Sequence, residues 1–209
     1  MIRLVDAVAD PATARAAALD EFRRGGLVVL PTETVYGLAV LPSGPSAVEA
    51  MFRRKGRSDN RPVAVLVADV EQARTVVESG RAFELLAAVF WPGPLTVVTT
   101  RGVGFSARLG GDQATVGVRC PDHELVRALA AEVGPLAVTS ANRSGQPTKA
   151  DARSAAEALG GDLLVLDGGP CTGAPSTVVD VTADPARVLR AGSIGREALT
   201  GIGLVLGDD

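Results

Sequence analysis

The stretch Leu-Val-Val-Leu-Pro-Thr-Glu-Thr-Val-Tyr-Gly-Leu, residues 27–38, tells us most about the fold. Its first four residues form an apolar run typical of a strand buried on both faces of a sheet. Pro31 ends this run, and two threonines, a glutamate and a tyrosine follow by residue 36. Ligands of α/β sheets bind beyond the carboxyl ends of strands, so this polar turn is a candidate binding loop. A turn whose threonines only bond their own backbone would have the same sequence.

The segments on either side of this stretch predict alternating helices and strands. Upstream, Asp10 can cap a helix, Pro11 suits its first turn, and Gly25-Gly26 ends it. The further predicted helices cover 46–54, 69–78, 82–90, 122–133, 151–159 and a short segment after 195. The predicted strands cover 27–30, 63–67, 95–99, 114–119, 136–139, 163–166, 177–181 and 187–189. We therefore expect a single α/β domain, residues 1–209, with a twisted, mixed sheet.

The composition limits the classes of function. A chain of 209 residues can bury about 70% of its unfolded surface, so it can form a sizeable core. Aromatic residues make up only 3% of the chain, which argues against a base-stacking platform for nucleic acid. The net charge is −3, so the protein has no general attraction for polyanions. A polyanionic ligand would need a local cluster of cations.

The rare residue types exclude other classes. Cys120 and Cys171 lack metal-ligand spacing, and His123 is the only histidine, so no His-rich metal site is possible. No apolar run has the roughly 18 residues that a membrane span needs, and the first 25 residues do not resemble a signal peptide. We expect a cytoplasmic protein.

A cluster of basic residues follows the predicted helix 46–54. Arg53, Arg54, Lys55, Arg57 and Arg61 place five cations within nine residues. Lysine as a point charge and arginine as a planar fork together suit a triphosphate. The same cluster could be a solvated helix end, where the helix dipole favours cations.

A second polar loop follows the predicted strand 136–139. Residues 139–145, Thr-Ser-Ala-Asn-Arg-Ser-Gly, are dense in hydroxyl and amide groups. Such a loop could bind phosphate or ribose, or it could be an ordinary polar turn. The chain contains no GxxxxGK[ST] phosphate-binding motif.

Taken in order, seven segments resemble the threonylcarbamoyl-AMP synthase family, whose domain is called YrdC-like. They are PTETVYGL (31–38), KGR (55–57), WPGPLT (91–96), TVGVRCPDH (115–123), TSANRSGQPT (139–148), STVVD (176–180) and LRAG (189–192). Each segment alone is a weak signal, but seven in one order are highly specific. The resemblance implies an open, twisted α/β sheet with helices around a large, positively lined concave cavity.

The resemblance also implies a reaction. L-threonine, bicarbonate and ATP would give threonylcarbamoyl-AMP and pyrophosphate, which makes the protein a nucleotidyltransferase. The product would pass to tRNA-modifying partner proteins that make threonylcarbamoyladenosine. Mg²⁺ is expected with ATP, held by the phosphates rather than by a protein metal site. No membrane is involved.

Site residues follow from the resemblance by motif position. The implied threonine contacts are Thr34, Arg119, the backbone of Val138, and Ser176. The implied ATP contacts are Arg57, Arg61, Thr115, Ser140, Thr148 and Arg190. The implied catalytic residues are Lys55, Arg57, Ser140 and Asn142. Glu33 is a candidate for the base that the threonine amine needs.

Two alternatives stay open at this point. Leu66 stands where many family members have a histidine that touches threonine, and Ser58 stands where they have a proline. The first difference allows a related enzyme that uses another carbamoyl acceptor. The implied basic, concave surface also allows a non-enzymatic RNA-binding module, or weak binding of tRNA by the enzyme.

Overall fold

The computed structural model describes residues 1–56 and 61–207. Within these residues ten strands form one sheet. The strands are β1 (Ile2–Asp6), β2 (Val28–Leu30), β3 (Gly37–Val40), β4 (Ala64–Leu66), β5 (Leu95–Thr100), β6 (Thr115–Arg119), β7 (Leu136–Ser140), β8 (Leu163–Asp167), β9 (Thr177–Asp180) and β10 (Arg187–Arg190). The helices are α1 (Pro11–Arg23), α2 (Pro45–Lys55), α3 (Val70–Arg74), α4 (Arg81–Phe90), α5 (Glu124–Val133), α6 (Ala152–Leu159) and α7 (Arg196–Gly201).

The sheet is mixed, as the sequence predicts. Its strand order is β1-β8-β2-β3-β7-β4-β6-β5-β9-β10. Neighbours pair in parallel in β1–β8, β8–β2, β4–β6 and β5–β9, and in antiparallel elsewhere in that order. None of the helices in the described residues has the length and apolar composition that a membrane span requires.

Most predicted elements are present, and three differ. The helix predicted over 69–78 is only five residues long, Val70–Arg74, and β1 and β3 were not predicted. The predicted cap of α1 is confirmed, because the Asp10 side chain accepts a hydrogen bond of 3.0 Å from the Thr13 amide.

One face of the sheet is closed along its whole width. Every second residue of the strands, such as Val65, Val97 and Val118, points into a large apolar core. Residues of α2, α3, α4 and α6 pack into the same core, for example Met51 and Phe83. Apolar burial of this extent is the main force that holds these helices on the sheet.

The opposite face divides into two halves. The covered half, on β8, β2, β3, β7 as far as Val138 and Leu66 of β4, packs under α1 and α5 through side chains such as Leu30, Leu136 and Phe22. The open half lies on the rest of β4 and on β6, β5 and β9. Its floor is formed by half-buried side chains and one glycine: Ala64, Val98, Thr115, Gly117 and Val178. The division leaves an open stretch of sheet face bounded by α1 and α5 on one side.

Candidate active site

One face of the sheet carries most of the predicted site residues that lie on strands, in the open half and at the adjoining carboxyl end of β7. Side chains alternate between the faces of a sheet, and residues in register share a face. The register pairs Val138 with Ala64, Gly117 with Val98, and Arg190 with Val178. Thr115 and Arg119 lie two positions from Gly117 on β6, and Ser140 lies two positions from Val138 on β7. These side chains therefore share the same face. The predicted residues brought to this face are Thr115, Arg119, Val138, Ser140 and Arg190.

Thr34, Arg119 and Ser140 each lie at or just beyond the carboxyl end of a strand. Because β6 is antiparallel to its near neighbour β7 through β4, Arg119 lies by register at one end of the open half, the Arg119 edge, and Ser140 lies at the other, the Ser140 edge. The turn after β2 contacts both: the Tyr36 carbonyl accepts from the Ala141 amide at 2.7 Å, and the Thr34 hydroxyl accepts from Arg119.

The turn after β2 reaches the Arg119 edge. The Thr32 hydroxyl donates to the Val35 carbonyl at 2.7 Å and accepts from the Thr34 amide at 3.2 Å, so this turn does bond its own backbone. The Thr34 hydroxyl lies 3.0 Å from Nη1 of Arg119 and accepts its hydrogen bond. One threonine thus fixes the turn through its own backbone, and the other contacts Arg119, a predicted site residue.

Arg119 is the most enclosed charge at this edge, with 6% of its surface exposed. Its Nε donates to the Gly93 carbonyl at 3.1 Å, which fixes the guanidinium against the Trp91–Pro94 turn. Its Nη2 forms an ion pair of 2.5 Å with Oε2 of Glu33, without the alignment of a hydrogen bond. Oε1 of Glu33 accepts from the Asp122 amide at 3.0 Å.

The segment from 168 to 176 lies against the turn after β2. The Tyr36 hydroxyl donates to the Gly169 carbonyl at 2.6 Å and accepts from the Gly168 amide at 3.2 Å. Burial raises the pKa of this phenol well above its usual value, so it stays a donor. At Gly173 a Cβ would lie 2.5 Å from the Glu33 carbonyl oxygen, so only glycine allows this approach.

Ser176 and Arg190 complete the Arg119 edge. The Ser176 and Thr96 hydroxyl oxygens lie 2.9 Å apart. Arg190 donates from Nε to the Ser176 carbonyl at 3.0 Å and from Nη2 to its hydroxyl at 2.9 Å. The pKa of Arg190 is lowered, first by partial burial and then by the nearby Arg119. Two guanidinium groups therefore face the same small region.

At the other edge, Lys55 holds the loop that follows β7. Lys55 is the last residue of α2 and is 3% exposed, so it is not part of a solvated helix end. Its Nζ donates to the carbonyls of Ser140 at 2.5 Å and Asn142 at 2.7 Å, and to Oδ1 of Asn142 at 3.2 Å. The Ser140 hydroxyl also donates to Oδ1 of Asn142 at 2.5 Å. The predicted catalytic Lys55 thus contacts both Ser140 and Asn142.

The remaining predicted residues are three possible ATP contacts and the backbone of Val138. Thr115 is half-buried at the Ser140 edge, whereas Arg61 and Thr148 are exposed. Val138 lies between Ala39 and Ala64 in the sheet, so its backbone is flanked by strands on both sides.

Two sequence predictions fall on Arg57 and Ser58, which lie outside the described residues. Leu66 is buried in the covered half and pairs in register with Arg119. In the described ranges, no three or more histidine, cysteine, aspartate or glutamate side chains are grouped to bind a metal.

The cysteines and the histidine lie outside these contacts. Cys120 and Cys171 are free and buried, and burial raises the pKa of both thiols, that of Cys120 to about 11. His123 immediately precedes α5 but its side chain does not cap the helix. Burial also lowers its pKa.

The geometry of the open half is that of a protein that binds a small anionic ligand. One end of the open half presents two guanidinium groups and hydroxyls, which suit a carboxylate. The other end presents a hydroxyl and amide loop held by a buried lysine, which suits a phosphate chain. The profile of the Sua5/YciO/YrdC family, described as "Telomere recombination", matches residues 20–192. The chain belongs to this family.

Relatives in sequence support the same family. A Mycobacterium tuberculosis relative, whose own name gives threonylcarbamoyl-AMP synthase as a provisional assignment, is 42% identical; the match covers 87% of this chain and 85% of the relative. The threonylcarbamoyl-AMP synthase of Bacillus subtilis is 37% identical, with 92% of this chain and 57% of the relative covered.

Solved structures agree with these matches. Pyrococcus abyssi Sua5 in complex with L-threonine superposes with a TM-score of 0.87 at 34% identity, covering 99% of this chain and 62% of that one. Escherichia coli YciO, at 22% identity, has a TM-score of 0.78 and covers 95% of this chain and 98% of its own, which shows the shared fold alone.

Proposed function

We propose that this chain is a threonylcarbamoyl-AMP synthase, which joins L-threonine, bicarbonate and ATP into threonylcarbamoyl-AMP and pyrophosphate. The observation that carries the proposal is the Arg119 cluster on the open sheet face, in a chain that superposes on a Sua5 structure bound to L-threonine. The proposed enzyme is a nucleotidyltransferase that acts in the cytoplasm.

Threonine binds at the Arg119 edge in this proposal. Arg119 bonds the Thr34 hydroxyl, and in a second, separate set of hydrogen bonds the Ser176 hydroxyl contacts Thr96 and Arg190. A guanidinium in a water-poor site binds a carboxylate more strongly than one at the surface. The backbone of Val138 is the fourth proposed threonine contact.

ATP binds across the open half with its phosphates toward the Ser140 edge. Ser140 and Asn142 supply the hydroxyl and amide of the loop, and Lys55 keeps this loop in place. The further proposed ATP contacts are Arg57, Arg61, Thr115, Thr148 and Arg190. Mg²⁺ enters as part of the MgATP substrate, with the phosphates as its main ligands.

The product dictates which bonds change. The neutral amine of threonine forms a bond to the carbon of bicarbonate, and water is lost as the carbamate forms. An oxygen of the carbamate then bonds to the α-phosphorus of ATP, and the bond from that phosphorus to the pyrophosphate oxygen breaks. The residues at the site act mainly by holding the reactants close and stabilising negative charge.

Glu33 is poorly suited to be the base in this reaction. One of its carboxylate oxygens faces Arg119, and the other accepts from the Asp122 amide. Both carboxylate oxygens are therefore engaged by protein groups rather than presented to a substrate amine.

The adenylate leaves the site for tRNA-modifying proteins in this proposal. Carbamoyl-adenylates are reactive mixed anhydrides, so a partner that accepts the product directly would limit its hydrolysis. Direct binding of tRNA by this chain is a weaker proposal, because its net charge of −3 gives no general attraction for a polyanion.

The decisive experiment is pyrophosphate release measured with each substrate omitted in turn. We expect release that requires L-threonine, bicarbonate and ATP together, with threonine preferred over serine and valine. Release that is unchanged without threonine would show that the assignment of the amino acid is wrong. Release that is faster with another amino acid would favour the related enzyme with a different carbamoyl acceptor, the alternative that Leu66 leaves open.

A further inference from the structure

The Arg119 edge brings two positive side chains close together. Arg190 reaches the Ser176 hydroxyl, and Arg119 reaches the Thr34 hydroxyl. Burial and, to a smaller extent, the charge of Arg119 lower the pKa of Arg190, so the two guanidinium groups repel each other.

Glu33 provides a negative charge at Nη2 of Arg119, whereas Thr34 is bonded by Nη1. The Glu33–Arg119 pair joins Oε2 and Nη2, and that Nη2 is shielded from solvent. The carboxylate cannot move freely, because the Asp122 amide holds its other oxygen at 3.0 Å. Gly173 packs closely on the Glu33 backbone from behind. A fixed carboxylate therefore meets one corner of the guanidinium.

The remaining contacts of Arg119 show which corner is left for a ligand. Nε points at the Gly93 carbonyl, and Nη2 points at Glu33. Nη1 bonds the hydroxyl of Thr34. An Nη nitrogen carries two protons, so Nη1 can serve Thr34 and a ligand together. Since Nη2 is shielded from solvent, the corner beside Thr34 is the one left for a ligand.

We propose that Glu33 is a positioning residue for the amino-acid substrate, holding Arg119 so that Nη1 meets the substrate carboxylate. The inference rests on the proposed function, because it takes the carboxylate bound by Arg119 to be that of an amino acid. Glu33 acts through Arg119 and does not touch the reacting atoms. A base at this position would lower kcat when removed, whereas a positioning residue raises the KM for the amino acid.

The test compares Glu33→Gln with wild type in the pyrophosphate assay and in calorimetric titration with L-threonine. Glutamine keeps the shape and loses the charge. We expect the KM and the Kd for threonine to rise about tenfold, equivalent to about 1.4 kcal/mol, while kcat and the KM for ATP change less than about twofold. The matched control is Glu84→Gln, which removes the charge from the exposed pair of Glu84 with Arg74 and should change none of these values.

Each result has a definite meaning. An unchanged threonine KM and Kd in folded Glu33→Gln would overturn the inference, as would a fall in kcat with an unchanged KM, which would indicate a base. If circular dichroism shows that Glu33→Gln is unfolded, Glu33→Asp is tested instead. Aspartate keeps the charge on a shorter side chain, and an unchanged KM for threonine would again overturn the inference. A wild-type protein that neither turns over nor binds threonine would defeat the proposed function itself, and this inference with it.

Discussion

One face of a single sheet serves two purposes in this molecule, and the contrast between its covered and open halves explains the site. In the covered half, Leu30 and Leu136 are completely buried under α1 and α5. In the open half, Gly117 and Thr115 occupy the same face and stay half-exposed. The backbone pairing is continuous from one half to the other.

Side-chain size and polarity account for the difference. Large aliphatic residues contribute about 25 cal/mol per Å² of apolar surface buried, which stabilises a helix packed on them. Of the five floor residues of the open half, only two are valines, and the alanine, threonine and glycine offer little apolar surface to a helix. The open half is therefore left for polar loops and for ligands.

The largest effect should come from removing Arg119, the charge that distinguishes the open half most strongly. We expect Arg119→Ala to lower kcat/KM for threonine by about 1,000-fold, or about 4 kcal/mol, because the carboxylate loses its partner and Glu33 is left unpaired. The measurement is pyrophosphate release at varied threonine. Arg127→Ala, in the half-exposed pair of Arg127 with Asp122, is the control and should remain active. A loss of less than about fivefold in folded Arg119→Ala would place threonine elsewhere.

A pair of leucine substitutions tests the two halves directly. Gly117→Leu places a side chain into the open half, and its Cβ would lie 3.3 Å from Cγ2 of Thr96, which needs only a small shift. We expect the rate of pyrophosphate release to fall about 100-fold, because displacing a substrate by about 1 Å can have an effect of this size. The free energy of unfolding should change little. Ala39→Leu adds the same group beneath α1 and α5. It should lower the free energy of unfolding, measured in urea, by about 1–3 kcal/mol. The reverse pattern would contradict the division of the face.

Lys55→Met tests whether the buried lysine acts on the Ser140 loop. Methionine keeps much of the volume but leaves the carbonyls of Ser140 and Asn142 without their charged donor. We expect a loss of about 2 kcal/mol in the free energy of unfolding and a rise of about tenfold in the KM for ATP. Arg53→Met, on the exposed side of the same helix, is the control. An unchanged KM for ATP would mean that the loop does not depend on Lys55.

The smallest effect should separate two serines of the same loop. The Ser140 hydroxyl bonds Oδ1 of Asn142, on the face that carries the open half. We expect Ser140→Ala to lower turnover by about three- to tenfold, the range for one lost neutral hydrogen bond. Ser144→Ala should change it less. Equal effects would show that the loop motif is placed wrongly.

Local features of this fold could be predicted from the sequence. The apolar run ending at Pro31, the capped helix after Asp10 and the polar loop after β7 all have local signals, and the structure has them at nearly the predicted positions. β1 has no such signal, because it is an edge strand whose residues alternate irregularly between solvent and core. β3 begins inside the motif 31–38, whose polar residues suggest a loop.

The long-range features could not be predicted. Glu33 and Arg119 are far apart in sequence, and nothing local to either residue indicates an ion pair between them. The placement of Arg119 at the edge opposite Ser140 depends on the antiparallel pairing of β7 with β4, and strand direction leaves no trace in a short apolar run. Lys55 likewise belongs to a charge run that is typical of a solvated helix end, and only its tertiary contacts show that it is buried.

The central claim is that the open half of the sheet face holds both substrates, with threonine at the Arg119 edge. A crystal structure with L-threonine and a non-hydrolysable ATP analogue tests this most directly. The account predicts the threonine carboxylate within hydrogen-bond distance of Nη1 of Arg119, and the phosphates beside Ser140 and Asn142. A threonine bound away from Arg119, or phosphates at the edge opposite Ser140, would contradict it.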